Sequence, residues 1–113
     1  MAQVISNDEL PNNKSVYTFE GYQYAGVDVS FLLSETAHGK GSDLHKHLYD
    51  EVFVVQEGEL TLTVGEDTIK ATGGRIVIVP AGAPHKFVNS GTRRARHIDI
   101  HTSRRMITDL LED

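Results

Sequence analysis

The chain contains no cysteine. It therefore has no disulfide framework, no thiolate nucleophile and no cysteine-ligated zinc or iron–sulfur centre, which fits a reducing cytoplasm. Basic residues are also scarce: 11 Lys and Arg stand against 16 Asp and Glu, a formal net charge of −5. A compact acidic domain makes a poor nucleic-acid binder, because that affinity comes mostly from neutralising phosphates. No apolar run approaches the roughly 20 residues of a membrane helix. The polar stretch from Met1 to Asn13 lacks the apolar segment of a signal peptide. No repeat, linker or low-complexity segment is present. These absences lead to the expectation of a cytoplasmic protein with no nucleic-acid partner and no membrane partner.

The 113 residues that are present, 39% hydrophobic and 24% charged, suit one domain with one core. Residues 1–14, with Pro11-Asn12-Asn13, read as an extended lead-in, and 15–113 as the domain. From there the pattern is short β-prone runs broken by turns: Val16–Phe19, Val27–Leu33, Glu51–Gln56, Leu60–Val64, Thr68–Thr72, Ile76–Val79, His85–Asn89 and Arg94–His101. Glu57-Gly58-Glu59 joins two of them as a hairpin, and Gly73-Gly74 and Pro80–Pro84 are further turns. Many short strands with glycine turns predict an all-β sandwich or barrel. Only the tail reads as helical. Ser103 can cap it, and Met106, Ile107, Leu110 and Leu111 form a stripe that should pack on the body.

Six histidines stand at 38, 45, 47, 85, 97 and 101. His45 and His47 are two apart, so in a strand they project to one face and can reach one ion. Glu51 follows, with Asp50 beside it as a second carboxylate. Glu51 opens an apolar strand, where a bare carboxylate is costly unless paired, hydrogen-bonded or metal-bound. His85 opens a later strand that a barrel can bring opposite. By itself an HxH pair is more often two surface histidines, and His38 reads as an exposed loop residue.

The spacing is more specific. Gly39, His45, His47, Glu51 and Gly58 lie in GKGSDLHKHLYDEVFVVQEG, and Gly74, Pro80, Gly82, His85 and Asn89 in GRIVIVPAGAPHKFVN, fifteen residues apart. Both segments resemble the two motifs of the cupin family, with no motif position missing. The resemblance implies a double-stranded β-helix, a jelly-roll barrel with a metal in its mouth, here with the short C-terminal helix expected above. It further implies that His45, His47, Glu51 and His85 are ligands of one divalent transition metal ion: iron, manganese, nickel, copper or zinc. Gly58 and Gly82 stand where turns often need positive φ, and Asn89 is expected to satisfy turn backbone.

His97, Asp99 and His101 alternate with Ile98 and Ile100, so one face of the last strand is polar and the other apolar. A one-residue change of register exchanges them. Ile100-His101-Thr102-Ser103 resembles a late strand of small cupins, which favours the register with His101 inside and makes it the candidate catalytic base. Phe53 and Val55 share parity with Glu51 and should line the barrel, while Tyr49 either stacks over the mouth or covers an edge. The arginines at 93, 94, 96, 104 and 105 read as a solvated cluster, with Arg104 and Arg105 paired to carboxylates elsewhere.

Two functional classes stand open. One is a metal-dependent dioxygenase, isomerase or lyase acting on a small oxygenated organic molecule. The other is a non-catalytic module that binds or senses a small-molecule ligand through its metal. A symmetric homodimer is expected in either case, since an open two-sheet barrel has edges that seek partners.

Overall fold

β-Branched and aromatic residues at alternate positions favour pleated, half-buried strands. A computed structural model of the chain, which describes residues 2–111, forms a strand from each such run. With two short strands that no run announced, His45–Lys46 and Asp109–Leu110, the strands in chain order are β1 (Val16–Glu20), β2 (Ser30–Thr36), β3 (His45–Lys46), β4 (Glu51–Glu57), β5 (Glu59–Val64), β6 (Asp67–Thr72), β7 (Arg75–Val79), β8 (His85–Asn89), β9 (Ala95–His101) and β10 (Asp109–Leu110). They make two five-stranded sheets, in the orders β1-β2-β9-β4-β7 and β10-β3-β8-β5-β6, and every pairing is antiparallel. This is the all-β jelly-roll barrel expected from the motifs.

Parity decides what each strand buries. On β4, Glu51, Phe53 and Val55 face inward and are nearly inaccessible, while Val52 and Val54 face outward. Phe53, Val55, Leu60, Leu62, Ala71, Val77, Val79 and Ala95 form the core between the sheets. Each large side chain buried there contributes on the order of 1.5–3 kcal/mol. This apolar block supports the ionisable groups at the mouth. Gly58 turns the β4–β5 hairpin at φ +86°, and a Cβ there would stand 2.9 Å from Ala95 Cα, so no other residue fits without strain. Gly82 has φ +81° in the turn before β8.

The start of the second strand and the C-terminal helix differ from expectation. The strand expected from Val27 begins at Ser30, because residues 24–26 turn and Asp28 is engaged by Arg104 at 2.7 Å. The lead-in carries one 3-10 turn at Asn7–Glu9 and is tethered: Leu10 is 4% exposed, and the Thr18 N–H donates to the Pro11 carbonyl at 2.9 Å.

The C-terminal helix does not form. Ser103 Oγ does accept the Arg105 N–H at 3.2 Å, but the following backbone groups find tertiary partners instead of helical ones. The Met106 N–H donates to Glu20 Oε2 at 3.0 Å, the Ile107 N–H to Tyr49 Oη at 3.1 Å, and the Leu111 N–H to the Leu44 carbonyl at 3.0 Å. Asp109 and Leu110 then pair with Lys46 and His45. A helix this short is marginal on its own, and fixed acceptors outcompete it. Of the expected stripe, Met106 is half-buried, and Ile107, Leu110 and Leu111 are exposed.

Candidate metal centre

Register brings the candidate ligands together from both sheets. His45 on β3 lies directly opposite His85 on β8. Glu51 on β4 lies opposite His101 on β9, which in turn faces Ser30 on β2. His47 follows β3, and its carbonyl accepts the Gly82 N–H at 2.7 Å, tying this segment to the turn that precedes His85. Candidate ligand atoms of His45, His47, Glu51 and His85 all lie within 4.8 Å of one another. Asp50 is not among them. It is exposed, and its Oδ1 accepts the Ala81 N–H at 2.8 Å.

The three imidazoles are oriented alike. Nδ1 of His45 donates to the Asp43 carbonyl at 2.6 Å, Nδ1 of His47 to the Ile107 carbonyl at 2.7 Å, and Nδ1 of His85 to the Ala83 carbonyl at 2.9 Å. A carbonyl can only accept, so each neutral ring keeps its lone pair on Nε2. The Nε2 atoms of His47 and His85 stand 3.2 and 3.0 Å from Glu51 Oε1. Lone pairs thus point at a carboxylate oxygen, an arrangement that demands a cation or protons among them. His47 Nε2 is buried and, despite its short approach to Glu51, makes no hydrogen bond of acceptable geometry. Backbone-fixed imidazoles around a carboxylate suit a divalent transition ion. The residues present therefore fit the metal.

Protons respond to the same field. Burial would raise the Glu51 pKa, but the close approach of the His47 and His85 imidazoles holds it down at about 2. Burial would lower His47, yet the Glu51 carboxylate and the Ile107 carbonyl raise it. His101, 4% exposed, is lowered to about 4, mainly by burial. It is a neutral imidazole at pH 7, with Nε2 3.5 Å from Glu51 Oε2 and Nδ1 2.7 Å from the Tyr49 hydroxyl.

The inward register is the one observed on β9: His97, Asp99 and His101 are buried, while Ile98 and Ile100 face outward, half-buried. Tyr49 takes the stacking role, its ring 4.9 Å from that of His47 at 16°. Asn89 is 1% exposed. Its side-chain amide donates to the Thr36 and Arg93 carbonyls at 2.8 and 2.7 Å, so it holds loop backbone as expected. His38 is an exposed loop residue. Arg104 pairs with Asp28, but Arg105 instead lies 4.1 Å over the Tyr22 ring.

Two features escaped the sequence reading. Below the candidate ligands, His97 Nδ1 meets Asp99 Oδ1 at 2.6 Å, and His97 Nε2 meets Thr36 Oγ1 at 2.8 Å. Burial raises the Asp99 pKa against the opposing pull of His97. The polar parity of β9 pointed to the first pair, but nothing local pointed to Thr36, 61 residues away. The second is the closure of the mouth by the Ile107 backbone, which no side-chain pattern signals. A separate cavity of about 410 Å³ opens between β2 and the 37–42 loop, with Leu32, Thr36, Phe87 and Asp99 among its walls.

Comparisons with known proteins agree with this architecture. A curated relative, an uncharacterized protein of Streptomyces coelicolor, is 46% identical over 41 residues, 36% of this chain and 39% of the relative's length. Among solved structures, an oxalate oxidase superposes with a TM-score of 0.79 at 18% identity, over 96% of this chain and 63% of its own. Bacillus subtilis oxalate decarboxylase, studied for its Mn(II) centres, gives 0.77 at 19% identity, over 85% of this chain and 27% of its own. A Thermus thermophilus protein gives 0.69 at 23% identity, over 90% of this chain and 98% of its own. At these identities the structures establish the fold alone. The Cupin domain family model matches residues 32–101, more than half of the sequence, and the chain belongs to the cupin family.

Proposed function

We propose that the protein is a metal-dependent cupin acting on a small oxygenated organic molecule, with one divalent transition metal ion held by His45, His47, Glu51 and His85. The observation that carries this reading is the convergence of imidazole lone pairs on a buried carboxylate, with His47 Nε2 left without a hydrogen bond. When bound, such an ion supplies Lewis-acid polarisation or redox chemistry at its open positions. Iron, manganese, nickel, copper and zinc all suit the donor set, and the decarboxylase neighbour has Mn(II) centres.

The chain's own contribution to turnover centres on His101. Held neutral at pH 7 and bonded to the Tyr49 hydroxyl, its imidazole is placed to accept a substrate proton as general base. The separate cavity of about 410 Å³ has Asp99 in its wall but none of the candidate ligands. The buried polar residues include Glu51 and Asp99 but, among the described residues, no Lys or Arg. Dioxygenase chemistry on an enol or catechol, or isomerase or lyase chemistry next to a carbonyl, fits these groups. One observation favours the non-catalytic alternative: Tyr49 and the Ile107 carbonyl close over His47, as in a module that retains its ligand.

Metal analysis of freshly purified protein, then oxygen-uptake and product screens with catechols, β-diketones and thiols, tests the reading. Bound iron, copper or manganese with turnover that His101→Ala removes is the expected result. Metal and ligand binding without turnover would favour the sensory module, and absence of bound metal from metal-replete protein would overturn both. The absence of cysteine supports a cytoplasmic location. Among the described residues no helix is long and apolar enough to cross a membrane.

A further inference from the structure

The barrel holds a second buried acid that the metal reading leaves unused. Asp99 is 3% exposed, and its Oδ1 meets His97 Nδ1 at 2.6 Å. His97 is itself fully buried, and its Nε2 is engaged by Thr36 Oγ1 at 2.8 Å. An ionised carboxylate offers about four acceptor positions. Among the described residues, however, Asp99 Oδ2 makes no hydrogen bond. Asp99 instead forms part of the wall of the cavity of about 410 Å³ between β2 and residues 37–42. A buried oxygen short of donors costs free energy until a donor reaches it.

The cavity changes character from floor to mouth. Leu32 lies directly opposite Asp99 in the register of β2 and β9. Val16 on β1 and Phe87 on β8 complete half-buried apolar walls. At the mouth stand three exposed charged residues, Lys40, Arg94 and Glu35. Glu35 is the cross-strand neighbour of Arg96. Lys40 and Arg94 have no ion-pair partner among the described residues. We propose that this cavity is a ligand site separate from the metal centre. Its ligand is a small molecule with a primary ammonium at one end, a carboxylate at the other and a short apolar chain between them.

Each part of such a molecule meets a group that lacks a partner. The ammonium gives Asp99 Oδ2 a charged donor, and charge-assisted hydrogen bonds are the strong ones. A neutral His97 can then keep its proton on Nδ1 for Asp99 Oδ1 and accept the Thr36 hydroxyl proton at Nε2. The methylenes lie against Val16, Leu32 and Phe87. The carboxylate reaches the mouth, where Lys40 and Arg94 are free to receive it. Other occupants fit less well. A metal ion would find one oxygen only, since both ring nitrogens of His97 are engaged. A simple anion would meet the Asp99 carboxylate at the floor. Small-molecule sites span about 300–1,000 Å³, and a cavity at the lower end of that range suits a molecule of amino-acid size.

Titration calorimetry with δ-aminovalerate, n-butylamine and valerate separates the contributions of the two ends. The full chain is kept in chelator, so that no probe can bind through a metal ion. δ-Aminovalerate should bind saturably. Butylamine should bind about two- to fivefold more weakly, the worth of an exposed ion pair, and valerate should show no binding. Asp99→Asn should weaken δ-aminovalerate by about tenfold to a hundredfold, the range for a hydrogen bond to a charged group. The exposed pair Lys40→Ala/Arg94→Ala should bring δ-aminovalerate down to the level of butylamine and leave butylamine unchanged. If Asp99→Asn does not fold, amide NMR of the wild type decides: δ-aminovalerate should shift the signals of Thr36, Gly41 and Phe87, and not those of His45 and His47. No saturable binding, valerate binding as well as δ-aminovalerate, an unchanged affinity in folded Asp99→Asn, or shifts confined to residues 45–51 would overturn the inference. Absence of bound metal from metal-replete protein would overturn the metal reading alone.

Discussion

Each candidate histidine ligand is fixed by a partner that can act in one way only. A backbone carbonyl at Nδ1 leaves His45, His47 and His85 no choice of tautomer, and their Nε2 atoms are turned inward before any ion arrives. Glu51→Gln keeps the shape and removes the one charge the ligands share. Its affinity for Mn(II) or Zn(II), measured by competition with a chelator, should fall by more than about a hundredfold, since changes even outside the ligand set commonly cost 10–100-fold. Unchanged affinity would show that Glu51 is not a ligand.

His101 sets the acid response of the metal-free protein. Its pKa is about 4 in the fold, against 6.5 for the free side chain. Between those values the unfolded chain binds a proton that the folded chain refuses, so stability falls as pH drops from 6.5 towards 4. His45, also lowered by burial, acts in the same direction, and His47, raised, opposes it. Glu51, at about 2 against 4.5, contributes stability that is present above 4.5 and lost as pH falls towards 2. The unfolding free energy of metal-free protein, measured by urea titration, should therefore decline from pH 7 to pH 4.5 by about 1–3 kcal/mol. His101→Gln should flatten that decline. A stability that rises over this interval would contradict the burial of a neutral His101.

At the level of elements, the segment after β9 serves as a cover. It supplies the Ile107 carbonyl to His47, an N–H to Tyr49, and the β10 pairing to His45. The contacts are few, and Ile107, Leu110 and Leu111 are exposed, so local opening of this segment should need much less energy than global unfolding. A chain ended after Arg105 keeps the barrel but loses the cover. It should bind metal with the same stoichiometry and release it to chelator about tenfold faster or more, as followed by stopped-flow absorbance. Equal release rates would mean that the cover does not control access. The β4–β5 hairpin is a contrasting case: Gly58→Ala adds a Cβ 2.9 Å from Ala95 Cα at positive φ, and it should destabilise by more than about 1 kcal/mol in urea.

For the whole molecule, the proposed metal would be linked to the fold. An ion that binds only the native barrel stabilises it by about 2.7 kcal/mol when free metal is 100 times the dissociation constant. Adding Mn(II) or Zn(II) to metal-free protein should therefore raise Tm by several degrees. His85→Ala should abolish most of that rise. An equal rise in wild type and variant would place the ion elsewhere.

What the sequence determined was whatever depends on neighbours along the chain. Alternation of apolar and polar residues set which side chains of β4 and β9 lie inside, and the two motifs marked His45, His47, Glu51 and His85, because a strand period of two and fixed turn lengths carry such residues to predictable places. Gly58 and Gly82 were legible for the same reason, since positive φ is a local demand. Tertiary structure decided the rest. The tail has the periodicity of a helix, yet Glu20, Tyr49 and Leu44 offer its backbone better partners. Thr36 joins His97 across 61 residues. Asp50 and Glu51 are adjacent carboxylates, but the turn at Ala81 draws one out and the barrel draws the other in. Hydrogen bonds between groups distant in sequence depend on where the sheets bring them, and one local pattern is compatible with several such outcomes until the sheets have packed.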